Sequence, residues 1–234
     1  MPTTSKMFAP IRGRRMRLTR TDECGLPVIG PATTGVSKGF VSVGLAMQYE
    51  DGETIRVTNA GGEYEVNELP DAQLVGVEAT IAFTGVQPDY AAMITNLPTV
   101  LDFQAAAVGF SADGGVPVVG GYGLEVWTDL AGAGACADGG RAYGYLLLPY
   151  LRGGKIQDFT VENGAASFSV VSTSREGSQW DDGPYNVQES GAAVNGVFPA
   201  GKLLEPVGDR THFRLFTTRI APPAVFDGLA ALAA

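Results

Sequence analysis

Apolar and polar residues alternate with a period of two along much of the chain after residue 38. Between Phe40 and Glu50 every second residue is apolar, as in a strand that buries one face. QLVGVEATIAF, residues 73–83, repeats the pattern. Further strands are predicted in AAVGF, GYGLEVWT, YGYLLLPYL, GPYNV and HFRLFTTRI. The pattern predicts about nine or ten strands, and without βαβ alternation the sheets should be antiparallel.

Turn and cap residues connect these strands. Asp51-Gly52 is a turn signal, so we expect residues 54–57 to fold back on the preceding strand. One short helix is predicted over PDYAAMITN, residues 88–96, because Pro88 suits a first helical position. The predicted fold class is mainly β: an antiparallel β-sandwich or barrel with one short flanking helix and extended N- and C-terminal arms.

The chain is predicted to hold one domain with an arm at each end. Residues 1–38 contain Pro10, Pro27 and Pro31, several glycines and little periodicity, so they are predicted to be an N-terminal arm. Residues 39–220 form the single β domain. Residues 221–234 are a C-terminal tail, either docked or frayed, because two prolines stop the preceding strand.

The segment KIQDFTVENGAASFSVV, residues 155–171, predicts a β-hairpin. Its Asn-Gly dipeptide is typical of a two-residue type I′ turn, which needs positive φ twice. The register that follows pairs Ile156 with Val171, and Phe159 with Phe168 on the core face.

The second face of this hairpin is polar and carries Asp158, Thr160 and Glu162. It could be a solvated surface, an active site or the wall of a channel. On the pattern of the hairpin alone, a solvated sheet face is the favoured interpretation.

Charge is unevenly distributed along the chain. The net charge is −9, yet the first 20 residues contain six Lys or Arg and no acid, so the remainder is strongly acidic. An acidic body argues against a DNA-gripping protein, because phosphate contacts need cations. The basic start could be a nucleic-acid arm, a targeting peptide or an arm that docks on an acidic body. It lacks the apolar core of a secretory signal, and no segment has the ~20 apolar residues of a membrane span.

Candidate catalytic and ligand-binding residues do not combine into a motif. His212 is the sole histidine and lies in a predicted strand, so a packed histidine is expected. Cys24 and Cys136 are far apart and are expected to be free thiols in a reducing compartment. GAGACA, residues 132–137, fits G-x-G-x-x-A but no helix follows, so a loop is expected. We therefore expect no enzyme, no cofactor and no metal.

Several stretches, in order, resemble the major tail proteins of long non-contractile-tailed bacteriophages, most closely those of phages infecting actinobacteria. They include RMRLTRTDECGLPVIGP, GFVSVGLAMQYEDGETI, EVWT, YGYLLLPYLRGGKIQDFTVENGAASF, WDDGPYNV and TTRIAPP. The resemblance implies a tail-tube fold whose subunits form hexameric rings that stack into a tube. It also implies arms and long loops that link rings, and DNA passing through the lumen during ejection.

The expected partners follow from that resemblance. They are other copies of the chain, together with the tape measure, tail terminator and distal tail proteins. DNA would pass without specific binding, and the chain would not insert in a membrane. The expected location is the virion tail, assembled in the host cytoplasm.

An acidic wall of small hydroxyl residues would repel DNA, whereas a basic wall would hold it. From this physical argument we expect two β-units to line the lumen. The candidates are Ser42, Ala46, Gln48, Glu50, Glu78 and Thr80, with Asp158, Thr160 and Glu162 as a second set. The arm is expected to lie across an acidic neighbour through Arg12, Arg14, Arg15, Arg17 and Arg20.

Two other functions stay open from the sequence. One is a carbohydrate- or receptor-binding β-sandwich of a virion, with Trp180 and Tyr185 as its ligand platform. The other is a different phage structural role, such as tail completion or capsid decoration.

Overall fold

The computed structural model describes residues 8–85, 87–131, 141–157 and 168–233. In chain order the elements are β1 Pro10–Thr21, β2 Gly30–Ser37, β3 Phe40–Glu50, β4 Ile55–Thr58, β5 Tyr64–Glu68, β6 Gln73–Phe83, α1 Pro88–Thr95, β7 Thr99–Leu101, β8 Ala107–Phe110, β9 Gly121–Leu130, β10 Tyr143–Ile156, β11 Phe168–Ser174, β12 Gln188–Glu189, β13 Ala200–Gly201, β14 Arg214–Thr218 and β15 Ala230–Leu232.

Nine of these strands form one sheet in the order β15-β2-β1-β9-β10-β11-β6-β3, with β14 beside β10. The pairs β4–β5, β7–β8 and β12–β13 are separate two-stranded ribbons. Neighbouring strands in the described chain pair antiparallel throughout. The predicted fold class, mainly β and antiparallel with one short helix, is confirmed.

The main sheet curls on itself around a first core. The ring of Phe40, at the start of β3, lies so close to Gly13 of β1 that a Cβ there would meet it at 2.7 Å. Four strands separate β1 from β3 in the sheet, so this contact requires a rolled sheet. The core inside includes Leu18, Ile81, Leu124, Leu148 and Val170.

The helix α1 covers this core as the sequence predicts. Pro88 stands in its first turn, and Asn96 ends it in the left-handed conformation, donating its N–H to the Ala92 carbonyl. Tyr90 and Ile94 are buried against the core. Because the helix has only eight residues, this packing is what holds it.

A second core lies on the opposite face of β9 and β10. Trp127, Tyr145 and Leu147 pack there against Trp180 and Val187 from the irregular segment 175–213. Strand β9 is therefore buried on both faces, which explains why its sequence shows little alternation.

The prediction that residues 1–38 form an arm outside the sheet is wrong for residues 10–37. Strand β1 pairs with both β2 and β9, in the middle of the main sheet. The prolines misled the prediction, because they stand at strand starts and in a connection. Pro10 is the first residue of β1, Pro27 lies between β1 and β2, and Pro31 is the second residue of β2. At the other end of the chain, β15 pairs with β2, so the C-terminal tail is docked at the sheet edge.

Two predicted local structures are also corrected. Strand β4 does not fold back on β3, because β6 occupies that position and β4 pairs with β5 instead. The segment GPYNV, residues 183–187, is not a strand. Its Gly183 has positive φ and its Val187 packs into the second core.

The register predicted between β10 and β11 is wrong by one residue. Ile156 pairs with Val170 and Lys155 with Val171. The pairing shifts between Arg152 and Lys155, where Gly153 has a φ of 68° and β10 carries an extra residue. The turn itself and Phe159 lie outside the described residues. Val170 is buried, as predicted for the core face.

Candidate assembly surface

The lumen candidates on β3 and β6 share one face of the sheet. Ala46 pairs with Glu78, and Thr80 pairs with Gly44. Ser42, Gln48 and Glu50 lie on the same side of β3 and are exposed. The structure therefore brings the first predicted set together, because alternate residues of paired strands point to the same side.

This polar face continues over β11 to β10. Thr80 is followed across the sheet by Val171 and Lys155, and Glu78 by Thr173 and Arg152. Its side chains are mostly small or hydroxylated. Its charges in the described residues are mixed, because Lys155 and Arg152 on β10 share the face with Glu78 on β6. The acidic character expected for this wall is thus not a property of its described part.

The second predicted set cannot be placed in the same way. Asp158, Thr160 and Glu162 lie outside the described residues. The nearest described contact is the N–H of Gln157, which donates to the Ser169 carbonyl at 2.9 Å.

Strand β3 is one end of the main sheet and pairs only with β6 in the described part of the chain. It is 11 residues long, contains no Lys, Arg or Pro, and has its single charge at Glu50. Monomeric proteins usually protect such edges with charges, prolines or short strands. An edge of this length is a template for pairing with another chain.

Strands β3 and β6 form a long hairpin, and the chain between them extends beyond the main sheet. This acidic ribbon, residues 51–72, contains β4 and β5. Nearly every residue of it is exposed, including Ile55, Val57, Tyr64 and Val66. It holds six acids and one base, Arg56. Sequence reasoning missed this ribbon as a unit. Its signal was present, since two alternating runs flank Asn59-Ala60-Gly61-Gly62.

The arginines predicted to be on an arm lie along β1, and they differ widely in exposure. Arg12 is exposed, Arg15 and Arg20 are partly buried, and Arg17 is buried. Arg14 donates from Nε to Asp129 at 2.8 Å, and Arg141 donates to the same carboxylate. Burial alone would raise the pKa of Asp129, but these two hydrogen bonds outweigh it and hold that pKa below its ordinary value.

Arg17 is part of a buried polar cluster inside the subunit. Its guanidinium makes two hydrogen bonds of 2.5 Å to Glu125, its neighbour on β9. Its Cζ atom lies 3.3 Å from the ring centroid of Tyr185 and 5.0 Å from that of Trp127. The hydroxyl of Tyr145 donates to Glu125. Arg17 is therefore unavailable to a neighbouring subunit.

The cluster also shifts the titration of its members. Burial would lower the pKa of Arg17, but the attraction and hydrogen bonds of Glu125 outweigh burial and raise it. Burial and the negative charge of Glu125 raise the pKa of Tyr145. Both side chains hence keep their protons through the neutral range, and the cluster is a fixed structural feature.

The residues considered for catalysis or metal binding are either buried inside the fold or far from other reactive groups. His212 is buried, and its Nδ1 lies 2.8 Å from the Ser174 hydroxyl, which also accepts the N–H of Val77. Cys24 is a free, exposed thiol, while Cys136 lies outside the described residues. Among the described residues no group of His, Cys, Asp or Glu could hold a metal ion.

The aromatic platform proposed for a carbohydrate-binding function is not formed. Trp180 is 3% exposed, and its ring covers Gly123, where a Cβ would meet it at 2.2 Å. The ring of Tyr185 stacks on Arg17, and its hydroxyl hydrogen-bonds Thr19 and Thr34. Neither ring offers a free face of the kind that stacks on a sugar.

Comparison with known proteins adds no relative. No protein-family model matches the chain, and no curated protein matches it. The helix found in the described residues is too short to cross a membrane.

Proposed function

We propose that this chain is the structural subunit of a phage tail tube, and that it self-assembles into stacked hexameric rings through which genomic DNA passes. The observation that carries the proposal is the edge of β3, which pairs with no second strand among the described residues, has no Lys, Arg or Pro, and lies beside a face of small polar residues. Pairing of that edge with the next subunit would extend the sheet around a ring.

The polar face supports the part of the proposal in which DNA passes through the rings. A wall of Ser42, Gly44, Ala46 and Thr80 offers DNA few cations and little to grip. Phosphates would meet a nearly neutral surface in the described part. Acidic character would come from Asp158 and Glu162, whose place in the wall remains a prediction.

The acidic ribbon fits the same function. It extends beyond the main sheet from the end of β3, and its apolar side chains Ile55, Val57, Tyr64 and Val66 are exposed. The resemblance to tail-tube proteins gives long loops a role in linking rings, and this ribbon is the long connection best placed for it.

The proposal is tested by imaging purified protein and two proline variants by negative-stain electron microscopy. Successive N–H groups of a strand point to opposite edges, so Ala46→Pro and Met47→Pro remove donors from different sides of β3. One variant should weaken pairing with β6 and lower the melting temperature. The other should keep the wild-type melting temperature yet fail to form rings.

Two results would count against the proposal. One is wild-type protein that stays monomeric at every concentration tested. The other is a pair of proline variants that both form normal tubes, since the free edge would then have no role in assembly.

A further inference from the structure

The acidic ribbon has an apolar face that the subunit leaves uncovered. Ile55, Val57 and Val66 lie on one side of the ribbon, where Val57 pairs with Val66 and Ile55 pairs with Glu68, and Tyr64 adds an exposed ring beside Arg56. A two-stranded ribbon alone in water is marginally stable. Covering this face would therefore stabilise the ribbon as well as the contact.

The charge of the ribbon restricts what can cover it. Its acids are Asp51, Glu53, Glu63, Glu65, Glu68 and Asp71. Its one base, Arg56, is already used, because it donates to Asn67 and lies over the ring of Tyr64. A partner surface must be apolar at its centre and positively charged at its rim.

The subunit carries such a surface at the other end of β3. The β1–β3 groove, of about 340 Å³, lies where the rolled sheet brings the start of β1 to the start of β3. Its apolar lining includes Ile11, Phe40, Val41, Val43, Leu146 and Leu215. Ile11 and Val41 are more than half exposed, so the apolar floor is open to solvent.

The rim of the groove is basic. Arg12 lines it, and Lys38 is exposed two residues before Phe40. The lining contains no acid, and the nearby Asp129 is already neutralised by Arg14 and Arg141. Charge and apolarity of ribbon and groove are thus complementary.

Ribbon and groove cannot meet within one subunit. The groove contains Phe40 and the ribbon follows Glu50, so the length of β3 separates them by about 33 Å, at about 3.3 Å per residue. Two different patches at opposite ends of a molecule make a head-to-tail contact, and such contacts propagate along a stack.

We propose that the acidic ribbon of one copy docks in the β1–β3 groove of a second copy, and that this contact joins successive rings. The inference rests on the proposed function for its setting in a tube. The contact itself requires only two copies of the chain.

A cross-linking experiment tests the contact directly. In a background of Cys24→Ser and Cys136→Ser, one protein carries Val57→Cys on the ribbon and another carries Val41→Cys in the groove. Mixing them under mild oxidation should give the mixed disulfide dimer in clear excess over either homodimer. The control replaces Val41→Cys by Glu23→Cys, an exposed position outside the groove. Equal yields from both mixtures would overturn the inference.

Charge reversal separates this inference from the function it rests on. Arg12→Glu with Lys38→Glu, or Glu65→Lys with Glu68→Lys, should each abolish stacking, and combining all four in one chain should restore it. The control Glu23→Lys with Glu176→Lys should stack normally. Tubes that form despite either reversal would overturn the ribbon–groove contact and leave the tube function intact. Mixed disulfides without rings under any condition would support the contact and overturn the tube.

Discussion

Two regions of this subunit use β-strands for different purposes. In the central part, β9 and most of β10 are covered on both faces by the two cores, and even Arg17 and Glu125 are buried there. In the hairpin of β3 and β6, one face and one edge are open, and the acidic ribbon beyond it is exposed on all sides. The central part holds the fold together, whereas the hairpin leaves a strand edge and apolar surface exposed.

The buried ion pair should give the largest single effect on stability. In Glu125→Ala the guanidinium of Arg17 stays buried without a partner, so we expect the free energy of unfolding to fall by about 3–5 kcal/mol. Val57→Ala on the acidic ribbon should change it by less than about 0.5 kcal/mol, because that side chain is 48% exposed and its cross-strand partner Val66 is exposed as well. Urea unfolding of both variants under conditions that keep the protein monomeric measures the difference.

A double variant shows whether the lost charge pairing is the cause. Arg17→Met with Glu125→Leu removes both charges and should recover most of the stability lost in Glu125→Ala. If the double variant is as unstable as the single one, the cluster acts through its stacking on Tyr185 and Trp127 instead.

The ion pairs that buried Asp129 makes with the partly exposed Arg14 and Arg141 should give a smaller, acid-sensitive effect on stability. The pKa of Asp129 is held below its ordinary value of 3.8. Such a carboxylate stabilises the fold at pH values above 3.8, and this contribution is lost as the pH falls through the lower pKa of the folded state. Asp129→Asn should cost about 1 kcal/mol or less at neutral pH, because its arginine partners are partly exposed.

Urea unfolding at a series of pH values measures this effect. The stability of Asp129→Asn should decline less than that of wild type below pH 3.8. The matched control is Asp182→Asn, whose carboxylate pairs with Lys202 at the surface. Identical pH profiles for wild type and Asp129→Asn would show that Arg14 and Arg141 do not stabilise the fold through this carboxylate.

The sequence predicted the elements whose signals are local. The period of two in β3 and β6 identified both strands, and it also placed Ala46, Glu78 and Thr80 on a common face. Pro88, which suits a first helical position, identified the start of α1. In each case the determining residues lie within one element, so the pattern can be recognised without knowing which other segments that element contacts.

The misses come from contacts between distant segments. Strand β1 was hidden because its arginines suggest an exposed arm, yet Arg17 meets Glu125, 108 residues away, and Arg14 meets Asp129. The true partner of β3 is β6, with the acidic ribbon inserted between them, and a turn signal at Asp51-Gly52 cannot reveal that choice. The pairing of Ile156 with Val170 likewise differs by one residue from the register that the Asn-Gly turn alone would set, and the extra residue at Gly153 shifts the pairing once more farther along β10.

A lysine placed on the polar face of β3 and β6 should have the smallest effect on stability and a clear effect on DNA retention. Gln48→Lys adds one cation per subunit at an exposed position of β3, so monomer stability should change by less than about 0.5 kcal/mol. If this face lines the lumen, every ring gains a circle of positive charge. Assembled Gln48→Lys tubes should then retain short duplex DNA at low salt, whereas wild-type tubes do not.

Retention by the variant should also fall steeply with salt, because each phosphate contact releases condensed counterions. Co-sedimentation of DNA with tubes over a range of salt concentrations measures it. Gln179→Lys is the matched control, since it makes the same change at an exposed position beside the second core, away from the polar face. If the two variants retain DNA equally, the polar face of β3 and β6 does not line the lumen. The free edge of β3 must then close the ring with another side of the subunit facing the DNA.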